Sequence, residues 1–321
     1  MGQVGLVGQV GLVAQVGLVG QVGRVSPTRP ARPTCPARQL HALTCAFSIA
    51  LVLLSVPLAS AQAKKQFRVC ADPENLPFSN RQLEGFENKI ADVMAKQLNA
   101  SLRYIWWGQR RGFIRNTMNA TLKEGRCDIV IGVPEGYDLV ATTKPYYRSA
   151  YVFVYRKDKG LQLKSLDDAV LKKLRIGVHL FGDDYTNPPP VHELSKRGIV
   201  DNVVGFDTFY SIKNPPSTII DAVAEGKKID VAIVWGPAAG YFVAHQRVPL
   251  TMVPIPSGKT DLPFAFNMTV GVRRGDEALK AEVEKVLDTR QVEIRKILTD
   301  YGVPLMNVPV NALKNGAVEA K

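Results

Sequence analysis

Histidine is scarce in this chain, with four residues in 321, and one of them, His41, precedes the part with globular character. None of the other three, His179, His192 and His245, stands in a His-Glu-x-x-His spacing, and no Gly-x-Ser-x-Gly elbow occurs, so zinc-protease and serine-hydrolase chemistry lack their residues. Gly198-Ile199-Val200-Asp201 is not a nucleotide loop, and no cofactor or metal site is expected. There is no Lys/Arg-rich run and no RNA-binding motif, which removes the footprint of a nucleic-acid binder. Long apolar runs are also missing. The single candidate, Ala42–Leu58, falls short of the roughly 20 residues that cross a bilayer, so the chain is not expected to be membrane-embedded. Enzyme readings therefore have little to stand on.

What is present begins with a repeat. Residues 2–25 are four copies of one hexad, GQVGLV, GQVGLV, AQVGLV and GQVGRV, a low-complexity stretch with no core to bury. It reads as an over-extended start or a dispensable tail. Arg24, Arg29, Arg32 and Arg38 then form a basic n-region, Ala42–Leu58 an apolar h-region, and Ala61-Gln62-Ala63 a small-x-small cleavage site. That order is a secretory signal peptide cleaved near Ala63, which predicts an exported, periplasmic protein starting near Lys64. Most of the apolar run follows Cys45, which makes it a poor lipidation candidate. The net charge of +12 includes the four leader arginines; from Lys64 onward 37 basic residues stand against 29 acidic ones. A basic surface of that size suits an acidic partner or simply solubility.

The leader also takes two of the four cysteines, leaving Cys70 and Cys127. An even pair in an exported protein invites a disulfide. Both fall on expected strands, Phe67–Ala71 and Cys127–Val133, which are neighbours in a parallel sheet of order 2-1-3. The alternative is two buried free thiols.

From Lys64 the pattern alternates strand and helix. Phe67–Ala71 runs into a proline-punctuated loop. A helix from about Phe86 shows Ile90, Val93, Met94 and Leu98 on one face. Leu102–Trp106 is a strand, and Ile114, Met118 and Leu122 mark a helix that stops at Gly125. Beyond Ala150–Tyr155, Ser165–Asp168 reads as a helix start and Lys173–His179 as a strand. Val203–Phe206 and Ile229–Trp235 are further strands, with a helix at Pro216–Glu225. Ile229–Trp235 mirrors the earlier strand, since each follows a Gly-ended helix and carries Asp near its start (Asp128, Asp230). Ala265–Arg273 reads as a returning strand and Asp276–Tyr301 as strongly helical. The fold class is α/β, two lobes each built on a doubly wound, mainly parallel sheet. Lobe one is expected at 64–155 with 262–310, lobe two at 156–261, and a frayed tail at 311–321.

Several blocks carry a family resemblance: Arg68–Asn80 (RVCADPENLPFSN), Gly85–Ala91 (GFENKIA), Gln109–Phe113 (QRRGF), Cys127–Tyr147 and Ala232–Tyr241 (AIVWGPAAGY). The chain resembles type II periplasmic solute-binding proteins of family 3. Within them it is similar to the quinoprotein-dehydrogenase-associated branch, the MoxJ/XoxJ-like proteins accompanying periplasmic methanol dehydrogenases. That resemblance implies a non-enzymatic role beside a quinoprotein (PQQ) alcohol dehydrogenase, or the cytochrome serving it, in activation or assembly. The other reading is an ABC-transporter substrate-binding protein for a small non-amino-acid ligand.

Three departures bear on the ligand. Amino-acid receptors of this kind grip the α-carboxylate with an Arg after the third strand. Here that loop, Pro134–Leu139, has no Arg before Arg148. The anion-binding turn of lobe two is replaced by a run containing Asp183 and Asp184, which read as a solvated turn rather than a metal cage. The Asp that binds a ligand amine is replaced by Trp235. The expected cleft comprises Asn75, Phe78, Trp107, Arg110, Arg111, Pro134, Tyr137, Tyr185, Tyr210 and Trp235. It suits an aromatic or quinone-like ligand whose acidic group meets Arg110 or Arg111, or a segment of a protein partner. His179, at a strand end of lobe two, is a further candidate.

Overall fold

The computed structural model describes residues 64–110, 112–118, 127–181, 187–257 and 260–307. The hexad repeat, the leader, Arg111, Asp183, Asp184, Tyr185 and the C-terminal tail lie outside these residues, as does the stretch in which the second helix was expected to end.

Strand β1 (Gln66–Ala71) leads through the short β2 (Glu74–Asn75) and β3 (Ser79–Asn80) into helix α1 (Phe86–Gln97). Then come β4 (Ser101–Trp106), helix α2 (Phe113–Thr117) and β5 (Ile129–Pro134). β1 pairs in parallel with β4 on one side and β5 on the other, the expected 2-1-3 order. The Sγ atoms of Cys70 and Cys127 are bonded, with their Cα atoms 5.2 Å apart. The apolar face of α1 (Phe86, Ile90, Met94) closes over Phe67, Val69, Ile129 and Ile131 as the lobe-one core.

After β6 (Ala141–Thr142) the long β7 (Tyr147–Arg156) serves both halves. Its first residues, Tyr147–Ala150, pair antiparallel with β12 (Ala265–Val272), which itself lies antiparallel to β5. From Tyr151 onward β7 pairs antiparallel with β10 (Val231–Trp235) and β11 (Leu250–Pro254). The second half then repeats the first: β8 (Ile176–Leu180) lies between β9 (Val203–Asp207) and β10, all parallel. Alternate residues of β7 face opposite sides of the sheet. Phe153 and Tyr155 enter one core with Leu171, Ile176, Val178 and Ile233; Val152 and Val154 enter another with Ile219, Ile220 and Val223 of helix α4 (Thr218–Glu225). Each lobe is thus parallel at its outer end, but β5, β12, β7 and β10 are joined antiparallel. The expectation of mainly parallel sheets misses this centre, because strands that cross between lobes return rather than wind on.

The mirrored aspartates have a structural reason. Arg68, near the start of β1, donates from its backbone N and Nε to Asp128 Oδ2 at 2.9 and 3.1 Å, and from Nη2 to Oδ1 at 2.5 Å. Arg175, just before β8, does the same to Asp230 at 2.9, 3.0 and 2.7 Å. In each lobe an Arg at the start of the central strand clasps the Asp before its parallel neighbour. The Arg175 hydrogen bonds hold the Asp230 carboxyl below its ordinary value. Stability from a lowered carboxyl is present above the unfolded value and lost as pH falls through the folded one. Asp230→Asn is therefore expected to cost about 1 kcal/mol at pH 7, a modest figure because the pair is partly solvated. The difference from wild type should narrow in urea melts as pH falls below the ordinary aspartate range.

Other elements depart from the sequence reading. The stretch Asp276–Tyr301 is helical as expected, divided into α6 (Glu277–Thr289) and α7 (Gln291–Asp300) at Arg290, a break the sequence reading did not place. Helix α3 (Pro189–Lys196) starts inside the proline run, where proline suits a first turn. Ser165–Asp168 caps a short 3-10 turn at Ala169–Lys173 rather than a full helix. Helix α5 (Gly236–Ala244) and β11 follow β10. The glycines of α5 are contact points: a Cβ on Gly240 would meet the backbone of Gly302, and Tyr241 stacks on Tyr301 with centroids 5.5 Å apart. The turn after α7 is thereby seated on α5.

Candidate functional site

The C-terminal ends of β1 and β5 face those of β8 and β10 across a cavity of about 300 Å³. Such strand ends, where loops replace ladder partners, are where α/β folds receive ligands. Asn75, Phe78, Tyr210 and Trp235 line it together. Trp235 is the last residue of β10 and the N-cap of α5. Its ring meets Tyr151 edge-on, centroids 5.4 Å apart, and Phe266 at 5.8 Å. Phe78 packs on Phe86 at 5.1 Å, tying the cavity wall to the lobe-one core. Asn75 Nδ2 donates to Gln109 Oε1 at 2.9 Å.

Trp107 and Arg110 line an adjoining cavity of about 540 Å³, which shares Asp72, Gln109, Thr208 and Tyr210 with the first. Trp107 is 46% exposed, and the Arg110 guanidinium lies over the Phe209 ring, 4.8 Å from its centroid. Arg110 is therefore at the rim and does not line the inner cavity. Pro134 and Tyr137 line neither cavity. Pro134 ends β5, its carbonyl accepts the Tyr137 N–H at 3.2 Å, and the Tyr137 ring rests on the cluster around Cys70 and Val140. Arg148 is held elsewhere, its Nη1 donating to Asn267 Oδ1 at 2.9 Å.

Two acids, Asp72 and Glu87, line the inner cavity. Asp72 follows β1; its Oδ1 accepts the Glu74 N–H at 2.9 Å and its Oδ2 the Gln109 N–H at 2.5 Å. Glu87, in the first turn of α1, reaches under the cavity to Gly132 of β5. A side chain at Gly132 would fall on Glu87 Oε1, and the residue's φ of +75° suits glycine besides. Burial, and then the charge of Asp72, push the Glu87 carboxyl up to about 8. His179, on the opposite wall, is pushed down to about 4 by burial, so it is neutral at pH 7. Tyr210 is raised to about 12 by burial and the nearby Asp72 and Asp207, and stays a phenol.

The family model for bacterial extracellular solute-binding proteins, family 3, matches residues 67–303, the two lobes and the cavity between them. The chain belongs to family 3 of the solute-binding proteins. Protein MoxJ of Methylorubrum extorquens is 31% identical over 303 residues, covering 84% of this chain and 97% of its own length. Among solved structures, the periplasmic binding protein XoxJ of Methylobacterium extorquens AM1 is 38% identical with a TM-score of 0.62, over 75% of this chain and 100% of that one. MxaJ of Methlophaga aminisulfidivorans MPT is 28% identical with a TM-score of 0.65, over the same 75% and 100%. The two-lobed type II fold is that of these relatives.

For this family 3 chain, sequence reasoning missed Asp72, Glu87, Gln109, Tyr151 and Thr208 as lining residues. Glu87 reads as a solvated acid at a helix N-terminus, where acids are ordinarily favourable. The available signal was Gly132, a glycine inside an apolar strand, which marks a close approach by another group.

Proposed function

We propose that this chain is a non-catalytic periplasmic accessory factor that engages a quinoprotein alcohol dehydrogenase and helps activate or assemble it. The observation that carries the reading is the loss of the carboxylate grip. Among the described residues no Lys or Arg lines the inner cavity, while Asp72 and Glu87 do. An α-amino acid would bring its carboxylate against two acids with no cation to hold it. The likeness to MoxJ, XoxJ and MxaJ over most of the chain supports the dehydrogenase assignment, since those names belong to the branch its sequence blocks resemble. With lobes taken as 64–155 with 262–310 and 156–261, the exposed aromatics Trp107, Phe181 and Phe209 stand at the mouth between them. Aromatic side chains of that kind anchor protein interfaces.

The test is capture of the dehydrogenase, or its cytochrome, on the exported protein from periplasm. The excess of basic over acidic residues beyond Lys64 predicts that association weakens about tenfold or more between 50 and 500 mM salt, chiefly through the on-rate. Recovery of permease subunits instead would favour the second reading, a solute receptor for a small non-amino-acid ligand. That reading draws on the cavity of about 300 Å³ itself.

A further inference from the structure

The inner cavity combines three properties that together select a ligand class. Its polar floor has carboxyl groups, Asp72 and Glu87, and among the described residues no lysine or arginine balances them there. Its walls are aromatic, with Phe78, Tyr151, Tyr210 and Trp235 presented to one volume, and Tyr151 and Trp235 set at 60° to each other as a corner. Ring faces attract cations, most strongly where water is excluded. Its size, about 300 Å³, is at the small end of ligand sites.

We propose that this cavity binds a small organic cation without a carboxylate, an alkyl- or arylammonium ion, with its charge met by Glu87 and Asp72 and its body lying against Trp235 and Tyr151. The inference rests on the reading of the interlobe cleft as the recognition site and names what that cleft takes.

The state of the floor agrees with this assignment. The Asp72 oxygens already accept two backbone N–H groups, whereas no described residue donates to the Glu87 carboxyl. A raised carboxyl value means that near neutral pH a proton occupies the position an ammonium group would take. The groups facing Glu87 do not alter the sign. Tyr104 on β4, and Tyr146 and Tyr147 at the start of β7, are all raised and remain neutral phenols. His179 and Tyr210 across the cavity are neutral as well, leaving Asp72 as the charged neighbour. A bound cation therefore displaces the Glu87 proton. Binding should tighten as pH rises toward 8, where the empty site gives up that proton unaided, and level off above it.

Calorimetric titration of the exported protein with choline and benzyltrimethylammonium tests this, beside the uncharged isostere 3,3-dimethylbutan-1-ol and the anion benzoate. The expected result is saturable binding of at least one cation, at least about tenfold tighter at pH 8 than at pH 6, with proton release seen as different heats in phosphate and Tris. Glu87→Gln should weaken that binding at pH 8 by about tenfold or more and remove its pH dependence. Its unfolding midpoint at pH 6 should match wild type, because the wild-type group is protonated there. If that variant does not fold, proton release by the wild-type protein decides the matter. Failure of both cations to bind, equal binding of the alcohol, or cation binding without proton release overturns the proposal. Dehydrogenase capture that persists when both cations fail would leave the accessory reading standing. Choline binding without dehydrogenase capture would remove the accessory role and keep the ligand.

Discussion

Replacing Cys70 and Cys127 together by alanine is expected to lower unfolding stability by about 4 kcal/mol, because the bond closes a loop 57 residues apart in sequence. The loop-closure estimate fits this site, since both cysteines are buried in an apolar cluster with Phe113, Val130 and Val140, where alanine leaves no unpaired polar atom. For a domain of this size that corresponds to a fall in Tm of roughly 10 °C. Wild-type protein held in dithiothreitol should melt at the temperature of the double variant. Titration of the native oxidised protein should find no free thiol among the two. A loss under about 1 kcal/mol would mean that the bond does not restrain the unfolded chain. The effect should also reach the cleft, since β1, which carries Cys70, delivers Asp72 to the cavity in the next residues.

The architecture was legible wherever a buried periodicity dictated it. Ile90, Val93 and Met94, read as one face of the helix from Phe86, are all buried. The paired Asp128 and Asp230 exposed the internal repeat, and the clasp by Arg68 and Arg175 explains why an acid stands at that point in each lobe. What escaped were elements whose local signal pointed elsewhere. No helix was placed after Trp235, yet α5 starts at Gly236, and its Gly240 lies against the backbone of Gly302. Arg290 carries no helix-breaking residue type, and only the packing of α7 shows the break.

The cleft was half legible. Asn75, Phe78, Tyr210 and Trp235 could be placed by counting strand ends, because strand ends determine which loops meet. The sign of its charge could not. Whether Arg110 or Glu87 points inward depends on side-chain direction: Arg110 is drawn out over Phe209, and Glu87 passes over a glycine into the cavity. Neither path leaves a periodic trace in the sequence. Among the described residues the inner cavity carries the carboxyl groups of Asp72 and Glu87, and Arg110 stands at its rim.

Phe86→Ala is expected to destabilise the protein by about 3–5 kcal/mol, and to do so at the seam between core and cleft. Phe86 is fully buried at the first residue of α1, with its ring 5.1 Å from Phe78 and 5.9 Å from Tyr301. Removing it opens a void that the surrounding strands cannot collapse into, because Ile90 and Met94 on the same helix face are themselves fully packed. Phe86→Leu keeps most of the volume and should cost less, about 1–1.5 kcal/mol, which separates lost packing from a general intolerance of the site. Two functional consequences distinguish this position from other core sites. Phe78 would lose its support on the cavity wall, and Tyr301 would lose one of the rings that seat the turn after α7 on Tyr241 of α5. The alanine variant should therefore bind cleft probes more weakly even at low urea, where it is still folded. An equally deep substitution in the other lobe that does not back the cavity wall, such as Leu171→Ala, should lower the urea midpoint by a similar amount while leaving probe affinity near wild type. Equal loss of probe affinity in both variants would show that Phe86 acts only through global stability.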